Sequence, residues 1–211
     1  MSTQIKKDII CPKCGQSDKL AMLTGVNNAQ NPEFKGKILS ETLFDWRCPK
    51  CGYCCQMVYP LVFHDPKKAY MIALTPSAGK AKTIEPTPEI ANIIKRRVKS
   101  LAEMKEKIMI FDSGLDDVAV ELVKNALCSI IRNSYKSNKI KAYFSRICPD
   151  KGLEFAIFLG GKKEALYHAT KAEVYNQSAE VLRSLNFSEP NQFLRVGPTL
   201  AEKILQEYKS L

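Results

Sequence analysis

Cys11-Pro12-Lys13-Cys14-Gly15 returns, residue for residue, as Cys48-Pro49-Lys50-Cys51-Gly52. Zinc takes four soft ligands at tetrahedral corners, and two residues between paired cysteines let one tight turn aim both sulfurs at one ion. Proline at the second position presets one backbone angle. Glycine after the second cysteine permits a positive φ and a close approach of backbone N–H groups to sulfur. Each pentapeptide is therefore half of a tetrahedral cage. Together Cys11, Cys14, Cys48 and Cys51 predict a complete set for one Zn2+ ion, with no open position. Such a closed site is structural rather than catalytic. Iron or a redox dithiol is the alternative, because a single Cys-Pro-x-Cys can also serve thiol–disulfide exchange. That chemistry wants the first cysteine at a helix start within a βαβ unit. Here the second motif runs into Tyr53 and a strand-like stretch, and two copies exceed what a redox pair needs.

Reading outward, Ile5 to Ile10 and Lys19 to Val26 predict strands on either side of the first motif, and Leu43 to Arg47 and Tyr53 to Tyr59 flank the second. Lys68 to Leu74 predicts one more strand. Antiparallel strands entering and leaving two knuckles describe a zinc ribbon, with an insertion between the cysteine pairs. Within that insertion Asn31 and Pro32 predict the start of a helix over Glu33 to Ser40, asparagine as the cap and proline at the first helical position. Residues 75–88 carry three prolines and a glycine and predict a linker or surface loop. Gly79-Lys80 is no phosphate loop, since Leu74 and Ala81 stand where glycine and a hydroxyl are required.

Apolar residues near helical spacing predict helices over Glu89 to Ile110 and Asp116 to Arg132. Asp116 and Asp117 suit the positive end of the second, which is a simpler explanation of Asp112, Asp116 and Asp117 than a magnesium site. Lys139 to Ile147, Leu153 to Leu159 and Ala165 to His168 alternate as strands, with Gly160-Gly161 as a hairpin turn. Thr170-Lys171-Ala172-Glu173 reads as a capping box that opens a helix to Leu185, and a last helix spans Pro198 to Tyr208. The expected architecture is α+β. It comprises an N-terminal antiparallel zinc-ribbon-like module with an insertion helix (1–76), a linker with two linking helices (77–136), and a small C-terminal α+β module (137–211).

The paired CPKCG motifs are joined by Tyr59-Pro60-Leu61-Val62-Phe63-His64-Asp65-Pro66 and by Glu106-Lys107-Ile108-Met109-Ile110-Phe111-Asp112 running on to Asp117. In these residues the chain resembles the CpXC protein family over roughly residues 8 to 130. The resemblance implies a bacterial or archaeal setting and a zinc-ribbon-like site on Cys11, Cys14, Cys48 and Cys51. It implies no substrate or reaction.

Composition narrows the remaining classes. Hydrophobic residues at 45% and charged residues at 26% exclude a disordered or collagen-like chain. No apolar run reaches the ~20 residues of a membrane helix, and the polar N-terminus carries no signal region, so a cytoplasmic location without membrane contact is expected. In that setting the eight cysteines favour metal over disulfides. The net charge of +10 is spread along the chain and is mostly lysine. That distribution suits a solvated surface better than a nucleic-acid reader, which leans on arginine. The one dense patch, Lys95, Arg96, Arg97 and Lys99, is expected on a helix.

Outside the cage, Cys54 and Cys55 should point to opposite strand faces, one packing inward and the other facing the site or solvent. Cys128 reads as core, Cys148 has no partner at ligand spacing, and His168 is a plain strand residue. His64, in a turn-like segment beside Asp65, is the isolated candidate for acid–base chemistry or a partner contact. The sequence thus predicts a non-enzymatic protein whose zinc module supports an interaction surface, with protein as the expected partner. One alternative is nucleic-acid binding through the ribbon and the basic helix. The other is a thiol-redox or other enzyme using Cys54, Cys55 or His64.

Overall fold

Each cysteine motif sits at the tip of an antiparallel hairpin. The computed structural model describes residues 3–76, 93–137, 139–160, 162 and 164–211. Strand β1 (Thr3–Ile10) enters the first tip and β2 (Ser17–Asn27) leaves it, paired from Thr3↔Gly25 to Ile10↔Ser17. Helix α1 (Glu33–Leu39) follows in the insertion. Strands β3 (Asp45–Arg47) and β4 (Cys54–Gln56) then flank the second tip, with Trp46↔Cys55 at the centre of their ladder. At α1 the cap position falls to Pro32, with no side-chain capping bond; the Asn31 side chain reaches Glu33 instead.

Two elements differ from expectation. Phe63 to Pro66, read as turn-like, falls largely within strand β5 (Leu61–Asp65), and Ile94–Val98, read as helix, forms strand β7. Between them lies β6 (Tyr70–Leu74), buried throughout. The five strands assemble in the order β1-β2-β5-β6-β7. The sheet is mixed rather than antiparallel: β5 runs parallel to β2, and β7 parallel to β6. Parallel neighbours need a long connection that returns to the starting end, and the insertion supplies one between β2 and β5. For β7, the ladder Tyr70↔Ile94 to Leu74↔Val98 outweighs a local pattern that looked helical. Most of the stretch expected as a linker, from residue 77 to 88, lies outside the described residues, as does the start of the helix expected at Glu89.

The chain divides into two compact units: residues 1–105 with 191–194, and residues 106–190 with 195–211. The short return segment completes the first unit by pairing beside β7, where the Leu194 N–H donates to the Lys95 carbonyl at 3.0 Å.

Around the division lies α2 (Leu101–Asp112). In the second unit α3 (Asp117–Tyr135) is followed by β8 (Ile140–Ile147), β9 (Leu153–Leu159), β10 (Leu166–Thr170), α4 (Ala172–Ser184) and α5 (Pro198–Lys209). The strand–strand–strand–helix–helix order matches the sequence reading. The three strands form an antiparallel sheet in the order β10-β9-β8. Phe144, Leu153, Phe155, Ile157 and Leu159 from that sheet form one core with Val120, Val123, Leu127 and Ile131 of α3, and Cys128 packs against it. Asp116 caps α3 by accepting from the Val118 and Ala119 N–H groups at 2.7 and 3.2 Å. The expected capping box at Thr170 does not form. The Thr170 hydroxyl donates to the Leu153 carbonyl across the sheet, and Lys171 holds the cap position of α4 without a side-chain bond. No described helix is long and apolar enough to cross a membrane.

Candidate metal centre

The two hairpin tips are built to one plan. In the first, the Cys11 N–H donates to the Gln16 carbonyl at 2.8 Å and the Gly15 N–H to the Cys11 carbonyl at 2.9 Å. In the second, the Cys48 N–H donates to the Tyr53 carbonyl at 2.8 Å and the Gly52 N–H to the Cys48 carbonyl at 3.0 Å. Gly15 and Gly52 hold φ of 72° and 71°, the left-handed region for which the sequence supplies glycine. Equal backbone turns place equivalent sulfurs equivalently, so each tip presents two thiols in one direction.

The tips face each other. Cys11, Cys14, Cys48 and Cys51 bring all four sulfurs within 4.8 Å of one another. Two pairs meet across the tips, with Cys11 Sγ to Cys51 Sγ and Cys14 Sγ to Cys48 Sγ both at 3.7 Å. These are free thiols. A tetrahedron with metal–sulfur bonds of about 2.3 Å has edges of about 3.8 Å, so the cluster fits a tetrahedral metal ion. Cys11 and Cys48 are buried, while Cys14 and Cys51 are half-buried.

Unequal surroundings separate Cys48 from Cys14. At Cys48 the backbone N–H groups of Cys51 and Lys50 favour the thiolate over the cost of burial, and its pKa falls to about 6. At Cys14 the Gln16 N–H pulls down, but burial and the neighbouring thiols Cys51, Cys11 and Cys48 outweigh it and push the pKa up to about 12. Cys48 therefore gives up its proton more readily than Cys14. A divalent cation at the centre would favour the thiolate form and release protons as it bound.

A small apolar shell surrounds the cluster. Trp46 is buried against Cys11 and Cys48, with Ile9, Leu20, Tyr53, Cys55 and Met57 packed around them. Trp46 Nε1 donates to Asp18 Oδ2 at 2.9 Å, which ties β3 of one hairpin to β2 of the other. Sequence reasoning passed over this pair. Its signal was a lone tryptophan two residues ahead of Cys48.

The other candidates disperse. Cys55 joins the apolar shell, while Cys54 is exposed and donates to the Gly52 carbonyl at 3.3 Å, in keeping with strand alternation. His64 lies on β5 opposite Met71 rather than in a turn. Alternation sends Asp65 to the opposite face, where its carboxylate accepts from Asn28 Nδ2 at 2.7 Å and Lys35 Nζ at 3.4 Å. Burial lowers the His64 pKa, and the nearby Asp65 charge offsets this only in part. The expected basic helix does not exist. Lys95, Arg96 and Arg97 belong to β7, with Lys95 and Arg96 buried, so the four cations do not share an exposed face. Asp116 and Asp117 do mark a helix start, and Asp117 Oδ2 lies 2.7 Å from Lys107 Nζ. Cys148 sits in the β8–β9 turn, its N–H donating to the Gly152 carbonyl.

Fold and site together define an α+β protein with a four-cysteine cluster compatible with metal binding. The chain belongs to the CpXC family: the family model of CpXC proteins matches residues 9–124, more than half of the sequence and all four clustered cysteines. Neither a comparison with curated proteins nor one with solved structures finds a match.

Proposed function

We propose that Cys11, Cys14, Cys48 and Cys51 hold one structural Zn2+ ion in a zinc-ribbon-like module, and that this module is a non-enzymatic interaction platform in a cytoplasmic protein. The reading is carried by four free sulfurs converging from two matching turns, 3.7 Å apart across the tips. Four thiolates fill a tetrahedral zinc ion and leave no position for water or substrate, which favours a structural ion. Thiolate ligands also suit zinc better than magnesium or calcium.

The energetic need is local. The shell around the cluster contains few large apolar side chains, and small modules of this kind depend on metal for stability. Structural zinc supplies roughly 10–16 kcal/mol in finger peptides near neutral pH. Fixing both hairpins would also fix the open groove along β3 and β4, lined by Asp45, Trp46, Arg47, Cys54, Cys55 and Gln56. A protein partner is the reading we favour for that surface, since the exposed Arg47 beside it is a residue type that anchors protein interfaces.

Elemental analysis of the purified protein, beside its Cys14→Ser variant, is the direct test. One zinc per chain in the parent and its loss in the variant, with a lower melting temperature, is the expected result. Full zinc retention with unchanged thermal stability in the variant would refute the structural role.

A further inference from the structure

The three-stranded sheet of the second unit has two unlike faces. Alternation along β8 and β9 sends Ala142, Phe144, Phe155, Ile157 and Leu159 into the core against α3. It sends Lys141, Tyr143, Ala156 and Phe158 the other way. Register joins them across the strands. Tyr143 pairs with Ala156, Ala156 pairs with Tyr167 on β10, and Lys141 pairs with Phe158. The outer face therefore carries Tyr143, Phe158 and Tyr167 around the small side chain of Ala156. The Tyr143 and Phe158 rings stand 6.1 Å apart, edge to face, and Tyr167 is 66% exposed.

Charge on this face is one-sided. Lys139, Lys141 and Lys162 are all exposed at the Phe158 end. The β8 and β9–β10 backbones bring them there: the Gly160 N–H donates to the Lys139 carbonyl at 2.7 Å, and the Lys162 N–H to the Leu159 carbonyl at 3.0 Å. Among the described residues of the three strands, the acid on this face is Glu154, at the far end. Arg146 grips it with two hydrogen bonds of 2.9 Å, so its charge is matched.

We propose that this face binds single-stranded nucleic acid. Unpaired bases stack on Tyr167, Tyr143 and Phe158, and the phosphate backbone runs past Lys139, Lys141 and Lys162. Rings on an open sheet are the surface on which unpaired bases stack, because every base offers a π-face. Lysines at one edge supply the sequence-independent attraction to phosphate. A duplex buries its base faces and does not lie flat on a sheet, so the single strand is the occupant that uses both features. The site is distinct from the four-cysteine cluster and from Lys95 to Lys99, and it stands whichever ion the cluster holds.

Fluorescence anisotropy on the full chain tests the proposal, with labelled oligouridylate and oligodeoxythymidylate as separate probes and a duplex as comparison. Wild type should bind one or both single strands at low salt more tightly than the duplex, and the better probe distinguishes RNA from DNA. Tyr167→Ala should weaken binding roughly tenfold and Phe158→Leu comparably, while Tyr167→Phe retains it. Lys141→Ala should flatten the dependence of log affinity on log salt by about one unit. Tyr167 lies exposed on an edge strand, so an unchanged circular dichroism spectrum separates lost stacking from lost folding. No binding of either single strand, equal affinity for the duplex, or full affinity in folded Tyr167→Ala would each overturn the proposal.

Discussion

Gly15 and Gly52 show how much the candidate centre asks of single residues. Both adopt a positive φ, and a Cβ at Gly15 would meet nothing within 4 Å. Gly15→Ala therefore isolates the backbone cost. It should destabilise the first unit by about 1–2 kcal/mol, read as a lower denaturation midpoint. Trp46 tests the shell in the same way. Trp46→Phe keeps an aromatic ring but deletes the donor to Asp18 Oδ2. The expected loss is about 1 kcal/mol, measured by chemical denaturation. At this scale the sequence was most readable. The cysteines, prolines and glycines carry their geometry within five residues, so the turn each forms needs no distant information. His64 was misread for the opposite reason. Its neighbours His64-Asp65-Pro66 resemble a turn locally, but ladder bonds to Met71 place it in a strand.

Elements were legible wherever local pattern and tertiary environment agreed. The stretch from Glu89 to Ile110 shows where they part, becoming strand β7 and then helix α2. The stop signal was present as Ser100-Leu101-Ala102-Glu103, where the Glu103 N–H donates to Ser100 Oγ and the Glu103 carboxylate accepts from the Lys99 N–H. That is nearly a capping box, whereas Thr170 was drawn off by a carbonyl in β9. At the start of α3 the helix itself was legible, but Asp116, expected in its first turn, stands one position earlier as the cap. Asp116→Ala should cost about 1 kcal/mol, seen as a lower melting temperature. Further along α3, Glu121 and Lys124 form a buried ionic group with Glu106 of α2. Lys124 Nζ lies 2.8 Å from Glu121 and 2.9 Å from Glu106, which also accepts from the Phe144 N–H. Burial works against the Lys124 charge, but the two carboxylates outweigh it and raise its pKa. Burial raises the Glu121 pKa despite the pull of Lys124 and Lys107. The folded chain thus holds the Glu121 proton more tightly than the unfolded chain does. Its contribution to stability is full below the ordinary value of 4.5 and falls as pH rises through the raised folded value. Glu121→Gln should remove that downward slope from a plot of unfolding free energy against pH.

For the whole molecule, metal removal is the most revealing perturbation. The chain has one tryptophan, and it packs against Cys11 and Cys48. On the proposed reading, a strong chelator at neutral pH shifts Trp46 emission to the red and lowers the stability of the first unit. The helical circular dichroism, which comes mainly from α3, α4 and α5 in the second unit, stays close to its starting value. An unchanged Trp46 spectrum after verified metal loss would contradict a structural ion. By itself the sequence determined the two cysteine turns, their likeness to each other, and most helices and strands. These are set by residues a few positions apart, through proline and glycine backbone limits and apolar periodicity. Only the tertiary structure decided that the two tips converge to 3.7 Å across the cluster, that the sheet is mixed, and that Lys95 and Arg96 leave the surface. Those outcomes depend on backbone hydrogen bonds and burial between segments tens of residues apart, and no local pattern encodes which distant strand will supply the partner.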